Sequence, residues 1–531
     1  MKLEVKLEKY PVLSTGKESN HLLIRLKTPA GAVAQRPPLV IGLAIDKSWS
    51  MKGEKMDSTI EAASYLVNWL TRNDYVAIIA YSADVQIVQP LTKLTDKGMI
   101  VDKLRNIQVG TSTNLSGGWL QTLRTVESAP VPNSYRRLIL LTDGQATLGI
   151  KDPAQLKKIA ADHLGRNIST TAIGVGDDFS EETLRGISVA GGGNFYFIAN
   201  PEEAPEIFFK EFGDIGALYG QAVEIKVTLA EGVTFIELLN DIPYTIEGNV
   251  ITIQAGDIRS DDARNLVINC ETNPDKLAKS GAFASVEVSF YNLLQNMNLE
   301  TVRGQLDQKL ASKASSPDSD VVVETLVSKA AKAMIEASRF SSGKNPVAAK
   351  EVISRMISKI EQNLALSPEA LNPILNRLKS IESRLKEYSS AVSKQLMADG
   401  SDLYRRRTEV IDLEGVDVHN RIFEHSIPGD IDLYNCPDLK GMIQKQMEEG
   451  YRFVVFNMTR AHHIDSSAIG ALIQIEGWLA RRGGALIVTN LTDNVKKIFS
   501  LTRLESHIRV AATTEGAKQV IDKLIEELKN S

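Results

Sequence analysis

Four short apolar segments alternate with helical segments between Pro38 and about residue 215, and this alternation constrains the fold more than any other feature of the sequence. The apolar segments are LVIGLAID (Leu39–Asp46), YVAIIAYS (Tyr75–Ser82), RLILLTDG (Arg137–Gly144) and STTAIGVG (Ser169–Gly176). Continuous apolar strands separated by helices are typical of a mostly parallel sheet with helices on both faces. The sequence therefore predicts an α/β domain of Rossmann-like type over residues 37–215.

The segments before and after this region have the pattern of β-strands. Residues 1–36 contain two stretches with period-2 alternation, Leu3–Tyr10 and Leu22–Leu26. Residues 216–305 show the same character, as in AVEIKVTLA and VITIQAG. The polar stretch QLDQKLASKASSPDSD that follows predicts a loop. We therefore expect β-structure on both sides of the α/β domain.

Residues 321–398 predict a helical domain, because apolar residues recur at helical spacing in Val323–Met334 and again in Ala349–Ile360. Ser367-Pro368-Glu369 has the composition of a helix start, and an apolar stripe follows it. If this helix is unbroken to Ala398, it is about 45 Å long and can hold two domains apart. The segment DGSDLYRRRTEV after it predicts a connector.

Residues 411–531 resume the alternation of strands and helices, with strand-like stretches at Phe453–Met458 and Ala485–Thr489. This segment predicts a second α/β domain. A chain of 531 residues is too long for one hydrophobic core, and a prior of roughly 150 residues per domain gives about three or four domains. The sequence pattern and the length therefore agree on a multidomain protein.

Charge and composition limit the partners and the compartment. The formal net charge of -5 gives no basic field, so nucleic acid is not expected as a partner. The two cysteines, Cys270 and Cys436, lie far apart in the sequence, which fits a reducing compartment. The stretch MKLEVKLEKYPVL lacks the apolar core of a signal peptide, and no apolar run reaches the roughly 18 residues of a membrane span. These features predict a cytoplasmic protein that does not bind membranes.

Oxygen-bearing side chains follow the predicted strands. Asp46-Lys47-Ser48-Trp49-Ser50 comes directly after an apolar strand, and Asp143 follows another. The carboxyl ends of strands in an open parallel sheet line one crevice, and Thr113 in the loop Gly110–Gly118 can add a hydroxyl. Oxygen ligands are what hard divalent cations take. The sequence therefore predicts a cation site, whereas Asp-x-Ser-x-Ser alone would be read as a helix cap.

This spacing resembles the metal-ion-dependent adhesion site (MIDAS) of von Willebrand A domains, and the resemblance covers residues 38–215. It implies that five side chains hold a magnesium ion, with manganese as the alternative, either directly or through water. These are Asp46, Ser48, Ser50, Thr113 and Asp143. The resemblance also implies that the remaining coordination position takes an acidic side chain from a protein partner.

Trp49 stands where the family usually has glycine. The change removes no ligand, and two interpretations stay open. The ring could anchor a partner beside the metal, or it could pack onto its own domain. The resemblance has one further consequence, because in many soluble relatives the strands before the A domain pair with those after it. Residues 1–36 and 216–305 would then form one discontinuous β-sandwich.

Residues 411–531 resemble the STAS domain of anti-sigma-factor antagonists. The matching stretches are GDIDLYNCPDLKGMI, YRFVVFNMTRAHHIDSSAIGALI and GGALIVTNLTDNVKKIFSLTRL. The resemblance implies that an anti-sigma-type Ser/Thr kinase phosphorylates Ser466 and that a PP2C-type phosphatase reverses the reaction. Asp465 can cap the helix that begins here, and a phosphate on Ser466 would sit at its positive end. The family often has Gly-Leu-Gly after the serines, whereas this chain has Ala468-Ile469-Gly470.

These features predict a non-enzymatic, bacterial-type signalling scaffold. The A domain would bind an acidic partner through magnesium, and the STAS domain would bind a kinase through the face formed by Asp465, Ser466 and Ser467. Phosphorylation of Ser466 would release that kinase, because it adds about -1.5 to -2 charge to a neutral face. Two alternatives remain. A magnesium-dependent hydrolase would need a general base or nucleophile beside the ligands, and none is evident. A metal-dependent adhesin would need export.

Overall fold

The computed structural model describes residues 1–29, 37–176, 179–198, 207, 211, 215, 218–260, 262–277, 281–295, 297–385, 390–404, 422–431, 435–464, 466–480, 484–501, 504–506 and 508–530. Three strands come first: β1 (Lys2–Leu7), β2 (Val12–Leu13) and β3 (Glu18–Lys27). The α/β region follows with β4 (Leu39–Asp46), α1 (Glu54–Trp69), β5 (Tyr75–Tyr81), β6 (Val85–Lys93), α2 (Lys97–Arg105), α3 (Leu115–Glu127), β7 (Tyr135–Thr142), α4 (Pro153–Leu164), β8 (Ile168–Val175), α5 (Glu181–Ala190) and β9 (Gly192–Ile198).

The α/β region forms one sheet in the order β6-β5-β4-β7-β8-β9. Every neighbouring pair is parallel except β5 with β6. All residues of β4 and β8 are buried, because α1 and α2 cover one face and α3, α4 and α5 cover the other. A side chain at Gly42 of β4 would lie 2.6 Å from Thr122 of α3, so glycine permits this close packing. The predicted Rossmann-like fold is confirmed.

A second run of strands follows the α/β region. It consists of β10 (Leu218–Leu229), β11 (Val233–Leu238), β12 (Tyr244–Glu247), β13 (Val250–Arg259), β14 (Ala263–Thr272), β15 (Ala282–Asn292), β16 (Asn298–Asp307) and β17 (Leu310–Ala311). The two sheets of this region have the orders β1-β3-β14-β11 and β12-β13-β10-β15-β16. They share one apolar core. Antiparallel pairing of β3 with β14, from Lys27 opposite Ala263 to Glu18 opposite Thr272, joins strands from both sides of the α/β region.

These sheets form the predicted discontinuous β-sandwich. The predicted loop after it is partly wrong, because Asp307 still belongs to β16 and β17 pairs in parallel with β2. Backbone hydrogen bonds from Val12 N to Lys309 O (2.9 Å) and from Ser14 N to Ala311 O (2.8 Å) hold this polar stretch in place. Its strand conformation therefore depends on a partner more than 290 residues away, which local composition cannot reveal.

Four helices follow the sandwich: α6 (Ser319–Ser342), α7 (Pro346–Asn363), α8 (Pro368–Arg384) and α9 (Ser390–Tyr404). The prediction of one unbroken helix from Pro368 to Ala398 is wrong. α8 ends at Arg384, and Arg377 of α8 forms an ion pair with Asp399 of α9. These residues are 22 positions apart, which would be about 33 Å along one straight helix. α9 instead packs along α6, and its helical conformation extends to Tyr404, into the predicted connector.

The C-terminal region contains β18 (Ile422–Ser426), α10 (Cys436–Glu448), β19 (Phe453–Asn457), α11 (Ser466–Ala480), β20 (Ala485–Thr489), α12 (Asp493–Leu501), β21 (Arg509–Ala511) and α13 (Thr514–Asn530). Its strands form a parallel sheet in the order β18-β19-β20-β21. α10, α11 and α12 pack on one face, and α13 packs on the other. This region is the second α/β domain that the sequence predicts.

The C-terminal domain contacts the first α/β domain, because α11 packs against α1. The predicted role of a long helix as a spacer between these domains is therefore wrong. Cys270 and Cys436 are buried and are not joined in a disulfide, as their separation in the sequence suggests. Within the described ranges, no helix combines the length and the apolar character that crossing a bilayer requires.

Candidate functional site

The end of β4 fixes the first part of the predicted metal site. Asp46 is the last residue of the strand and is fully buried. Its Oδ1 accepts a hydrogen bond from the backbone N of Ser48 (2.9 Å). Its Oδ2 accepts one from Oγ1 of Thr142 (2.5 Å), the last residue of β7. The chain then turns into a short 3-10 helix, Trp49–Met51, before α1 begins. Asp46 therefore links two neighbouring strand ends.

Asp143 completes the second strand end and is also fully buried. Ser50 donates a hydrogen bond from Oγ to Asp143 Oδ1 (2.7 Å). Ser48 Oγ lies 3.1 Å from Ser50 Oγ. The two serines of the Asp-x-Ser-x-Ser motif thus form a chain of hydroxyl contacts toward Asp143. This arrangement brings together side chains that follow β4 and β7 and that lie more than 90 residues apart in the sequence.

The third loop contributes Thr113. Its backbone N donates to Thr147 Oγ1 (2.9 Å), and its carbonyl accepts from the backbone N of Thr147 (2.9 Å). The Thr113 hydroxyl and the Ser50 hydroxyl both lie beside Gly144. A Cβ at that glycine would be 3.6 Å from Thr113 Oγ1 and 3.7 Å from Ser50 Oγ. The structure therefore brings all five predicted ligand residues to one edge of the sheet.

The chemistry of this cluster fits a divalent cation. Its donors are carboxylate and hydroxyl oxygens, which hard cations prefer. Burial raises the pKa of Asp46 to about 6, and the neighbouring charge of Asp143 acts in the same direction. Hydrogen bonds from Thr142 and Ser48 oppose this rise. Burying two carboxylates side by side costs free energy unless a positive charge compensates them.

Lys55 provides a positive charge that the sequence analysis did not identify. Its Nζ lies 2.7 Å from Asp143 Oδ2, and a quarter of its side chain is exposed. Lys55 is in the first turn of α1, where a cation interacts unfavourably with the positive end of the helix. A lysine at this position, soon after a predicted metal loop, is the signal that could have revealed a carboxylate partner.

Trp49 lies beside the ligand residues and is 62% exposed. Lys52 Nζ is 4.4 Å from the centroid of its ring. The backbone N of Trp49 donates to Thr111 O (3.2 Å), so the loop is fixed although the ring faces solvent. The interpretation of Trp49 as a ring packed onto its own domain is therefore wrong.

The predicted phosphorylation site lies at the start of a helix in the C-terminal domain. Ser466 and Ser467 are the first residues of α11, whereas Asp465 lies outside the described residues. Asp430, which the sequence analysis missed, orders the loop that leads to this helix. Its Oδ1 accepts hydrogen bonds from the backbone N of His463 (2.8 Å) and of His462 (2.7 Å), and these bonds lower the pKa of Asp430. Sequence patterns could not identify Asp430, because the two backbone N–H groups that it binds lie 32 and 33 residues away along the chain.

The raised pKa of Glu476 in α11 predicts that the stability of the folded protein depends on pH. Burial raises its pKa from 4.5 to about 7, although a hydrogen bond from the backbone N of Leu486 and the charge of Arg509 (3.6 Å) oppose this rise. The folded state then holds a proton that the unfolded state releases between these pH values, so stability falls as pH rises from 4.5 to about 7. The loss is about 3 kcal/mol.

We expect Glu476→Gln to remove this pH dependence, because glutamine keeps the shape of the side chain and does not ionise. Urea unfolding of both proteins at pH 5, 6, 7 and 8 measures the difference, which should be largest at pH 8. Glu515→Gln is the control, since that side chain is 82% exposed. Equal slopes in wild type and Glu476→Gln would show that Glu476 does not titrate in this range.

Two domain families match the chain. The von Willebrand factor type A domain profile matches residues 41–210, and the STAS domain profile matches residues 411–517. The chain therefore contains a von Willebrand A domain in its first α/β region and a STAS domain in its C-terminal region. The residues between and before them build the sandwich and the helices described above.

Similar curated proteins share part of the chain. The uncharacterized protein sll0103 of Synechocystis is 23% identical over 245 residues, 44% of this chain and 57% of that protein. The uncharacterized protein YfbK of Escherichia coli is 24% identical over 240 residues, 44% of this chain and 41% of that protein. Inter-alpha-trypsin inhibitor heavy chain H2 of Homo sapiens is 27% identical over 162 residues, which are 28% of this chain and 17% of that protein. The chain thus spans less than two thirds of each relative.

Solved structures share the fold over a larger part of the chain. The von Willebrand factor type A protein from Catenulispora acidiphila has a TM-score of 0.61 at 17% identity, covering 75% of this chain and 96% of that one. The ArnB paralog VWA2 from Sulfolobus acidocaldarius has a TM-score of 0.54 at 16% identity, covering 76% and 98%. The shared portion exceeds the matched A-domain segment, so the fold similarity extends beyond the A domain.

Proposed function

We propose that this chain, which joins a von Willebrand A domain to a STAS domain, is a non-enzymatic signalling scaffold. One protein partner binds through a magnesium ion in the A domain, and a second binds the STAS face around Ser466. The observation that carries the proposal is the cluster of Asp46, Ser48, Ser50, Thr113 and Asp143 at one sheet edge. Binding domains of two different kinds in one chain are suited to bringing two partners together.

The five ligand residues would hold magnesium, or manganese as the alternative, and they supply two kinds of oxygen ligand. Asp46 and Asp143 supply negative charge from buried positions. The hydroxyls of Ser48, Ser50 and Thr113 supply neutral oxygens. When bound, the cation supplies a coordination position for an acidic side chain of the partner. Thr142 orients Asp46 through its hydrogen bond to Oδ2, so the protein prepares the site before any ion enters.

Trp49 supports recognition of a partner at this site. Tryptophan is enriched among the residues that contribute most to binding at protein interfaces. Here its exposed ring lies next to the proposed ligands, and the ammonium group of Lys52 contacts the ring. The charge of Lys52 would also attract the acidic residue that completes the metal site. The A-domain surface therefore offers a cation, an aromatic ring and a lysine together.

The STAS domain would provide a switchable second site. We propose that an anti-sigma-type Ser/Thr kinase phosphorylates Ser466 and that a PP2C-type phosphatase reverses this. Ser466 begins α11, and a phosphate at a helix N-terminus is stabilised by the backbone N–H groups and the helix dipole. The added negative charge would weaken docking of the partner on this face. The compartment in which both partners meet this chain would be the cytoplasm.

The test of the A-domain proposal is metal-dependent capture of a partner. Full-length protein on a resin is exposed to lysate from its source with Mg²⁺ or with EDTA, and bound proteins are identified by mass spectrometry. We expect at least one partner to be retained only with Mg²⁺, and Trp49→Ala to reduce its recovery about tenfold. Tyr244→Ala is the matched control, because Tyr244 is exposed on the β-sandwich. Identical bound proteins under all conditions would contradict the proposal.

A further inference from the structure

A cavity of about 70 Å³ lies where three parts of the chain meet, and none of the proposed metal ligands lines it. The A domain contributes Arg137 of β7 and Arg185 of α5. The β-sandwich contributes Asp241 and Arg264, and α9 contributes Ser401. A ligand in this cavity would contact the A domain, the sandwich and the helical domain at once.

Two arginines of the lining have carboxylate partners that neutralise them. Arg137 Nε lies 2.6 Å from Glu211 Oε1, and Arg137 Nη1 lies 3.2 Å from Asp257 Oδ2. Arg259 Nε lies 3.9 Å from Asp262 Oδ2. Because their charges are compensated by the protein, these residues shape the wall of the cavity and do not require an added anion.

Arg185 has a more exposed partner. Its Nε donates to Ser401 Oγ (2.7 Å), which joins the A domain to α9. Its guanidinium also forms an ion pair with Asp241, whose side chain is 46% exposed. A carboxylate so open to water holds its partner weakly, because solvent screens the attraction. Arg185 could therefore exchange Asp241 for another anion at small cost.

Arg264 contacts carboxylates only at a distance, because the charges of Asp262 and Asp257 act on it while its hydrogen bonds go elsewhere. Its guanidinium donates to the backbone carbonyls of Ala255 and Asp257, the latter at 2.7 Å. Burial lowers the pKa of Arg264. A charged guanidinium at the wall of a cavity is stabilised by a counter-ion. The two carboxylates near Arg264 are shared, because Asp257 pairs with Arg137 and Asp262 pairs with Arg259.

We propose that this cavity binds a small oxyanion of the phosphate class, held by Arg264 and Arg185. The planar fork of an arginine matches the geometry of phosphate and carboxylate oxygens. A cavity of about 70 Å³ has room for a small ion. The bound anion strengthens the contact of the A domain with the sandwich and with α9, so it stabilises their relative arrangement.

Inorganic phosphate is the probe for this site. Thermal unfolding and calorimetric titration are performed on the full chain in EDTA, with sodium chloride adjusted to keep the ionic strength constant. We expect phosphate to raise the unfolding temperature of wild type, because a ligand that binds only the folded state stabilises it. Arg264→Gln should bind phosphate at least tenfold more weakly. Arg303→Gln is the control, since Arg303 is exposed on β16 and lies outside the cavity.

Asp241→Asn tests the same site in the opposite direction and does not depend on the stability of Arg264→Gln. Removing the carboxylate frees Arg185 for the anion, so we expect phosphate to bind several-fold more tightly than in wild type. The proposal is overturned if phosphate does not stabilise wild type, or if Arg264→Gln responds to phosphate as Arg303→Gln does. It is equally overturned if Asp241→Asn binds phosphate no more tightly than wild type.

Discussion

Asp143→Asn is expected to abolish magnesium binding by the A domain, whereas Lys55→Met is expected to strengthen it about tenfold or more. Asp143 is fully buried and accepts hydrogen bonds from both Ser50 and Lys55. Asparagine keeps the shape but removes the charge that attracts the cation. Lys55 compensates the same carboxylate, so a divalent ion must compete with its ammonium group. Without that competitor the ion meets an uncompensated charge.

Calorimetric titration of Mg²⁺ into EDTA-treated full-length protein measures both effects. A second readout comes from stability, because removing one partner of a buried ion pair costs about 3–5 kcal/mol. Lys55→Met should therefore unfold at lower temperature in EDTA and recover with Mg²⁺. Lys52→Met is the matched control, since Lys52 contacts the Trp49 ring. If Asp143→Asn binds Mg²⁺ as wild type does, the site assignment is wrong. If Lys55→Met binds no more tightly than Lys52→Met, the competition is absent.

The strands that the sequence predicts in the two α/β domains were recognisable because they are buried almost throughout. β4 and β8 are covered on both faces, so every position is buried and the apolar run is continuous. The break between α8 and α9 could not be predicted in this way. Apolar positions continue through both helices because each helix packs on the helical core. The helical spacing of apolar residues indicates which face is buried, but it does not indicate where one helix ends and the next changes direction. The ion pair of Arg377 with Asp399 requires that turn.

The ligand residues were predictable for a similar reason, because each follows a strand end or lies in a loop beside one. The charge balance was not predictable. From the sequence alone, removing Asp143 should relieve repulsion with Asp46 and leave stability unchanged or higher. The structure places Lys55 against Asp143. Removing the Asp143 carboxylate therefore leaves the Lys55 ammonium group without its partner. The contact depends on the direction in which α1 leaves the metal loop, and the local sequence does not specify that direction.

Ser466→Asp is expected to weaken binding of the STAS-directed kinase by about 10- to 100-fold, and Ser466→Ala is expected to retain binding. Ser466 begins α11, so an acidic group there is stabilised by the helix N-terminus while it adds negative charge to the docking face. Ser467→Asp is the matched control, since it places the same charge one position further into the helix. Partner pull-down with each full-length variant measures the difference.

The switch also makes a chemical prediction that binding alone does not test. Phosphopeptide mass spectrometry on protein from growing and stressed cells should find phosphate at Ser466, and Ser466→Ala should block its incorporation. Because α11 packs against α1 of the A domain, Mg²⁺ titration of Ser466→Asp checks that the metal site is intact, and we expect an affinity equal to that of wild type. If Ser466 never carries phosphate and Ser466→Asp binds the kinase normally, the switch proposal is wrong and the STAS domain is a constitutive docking module.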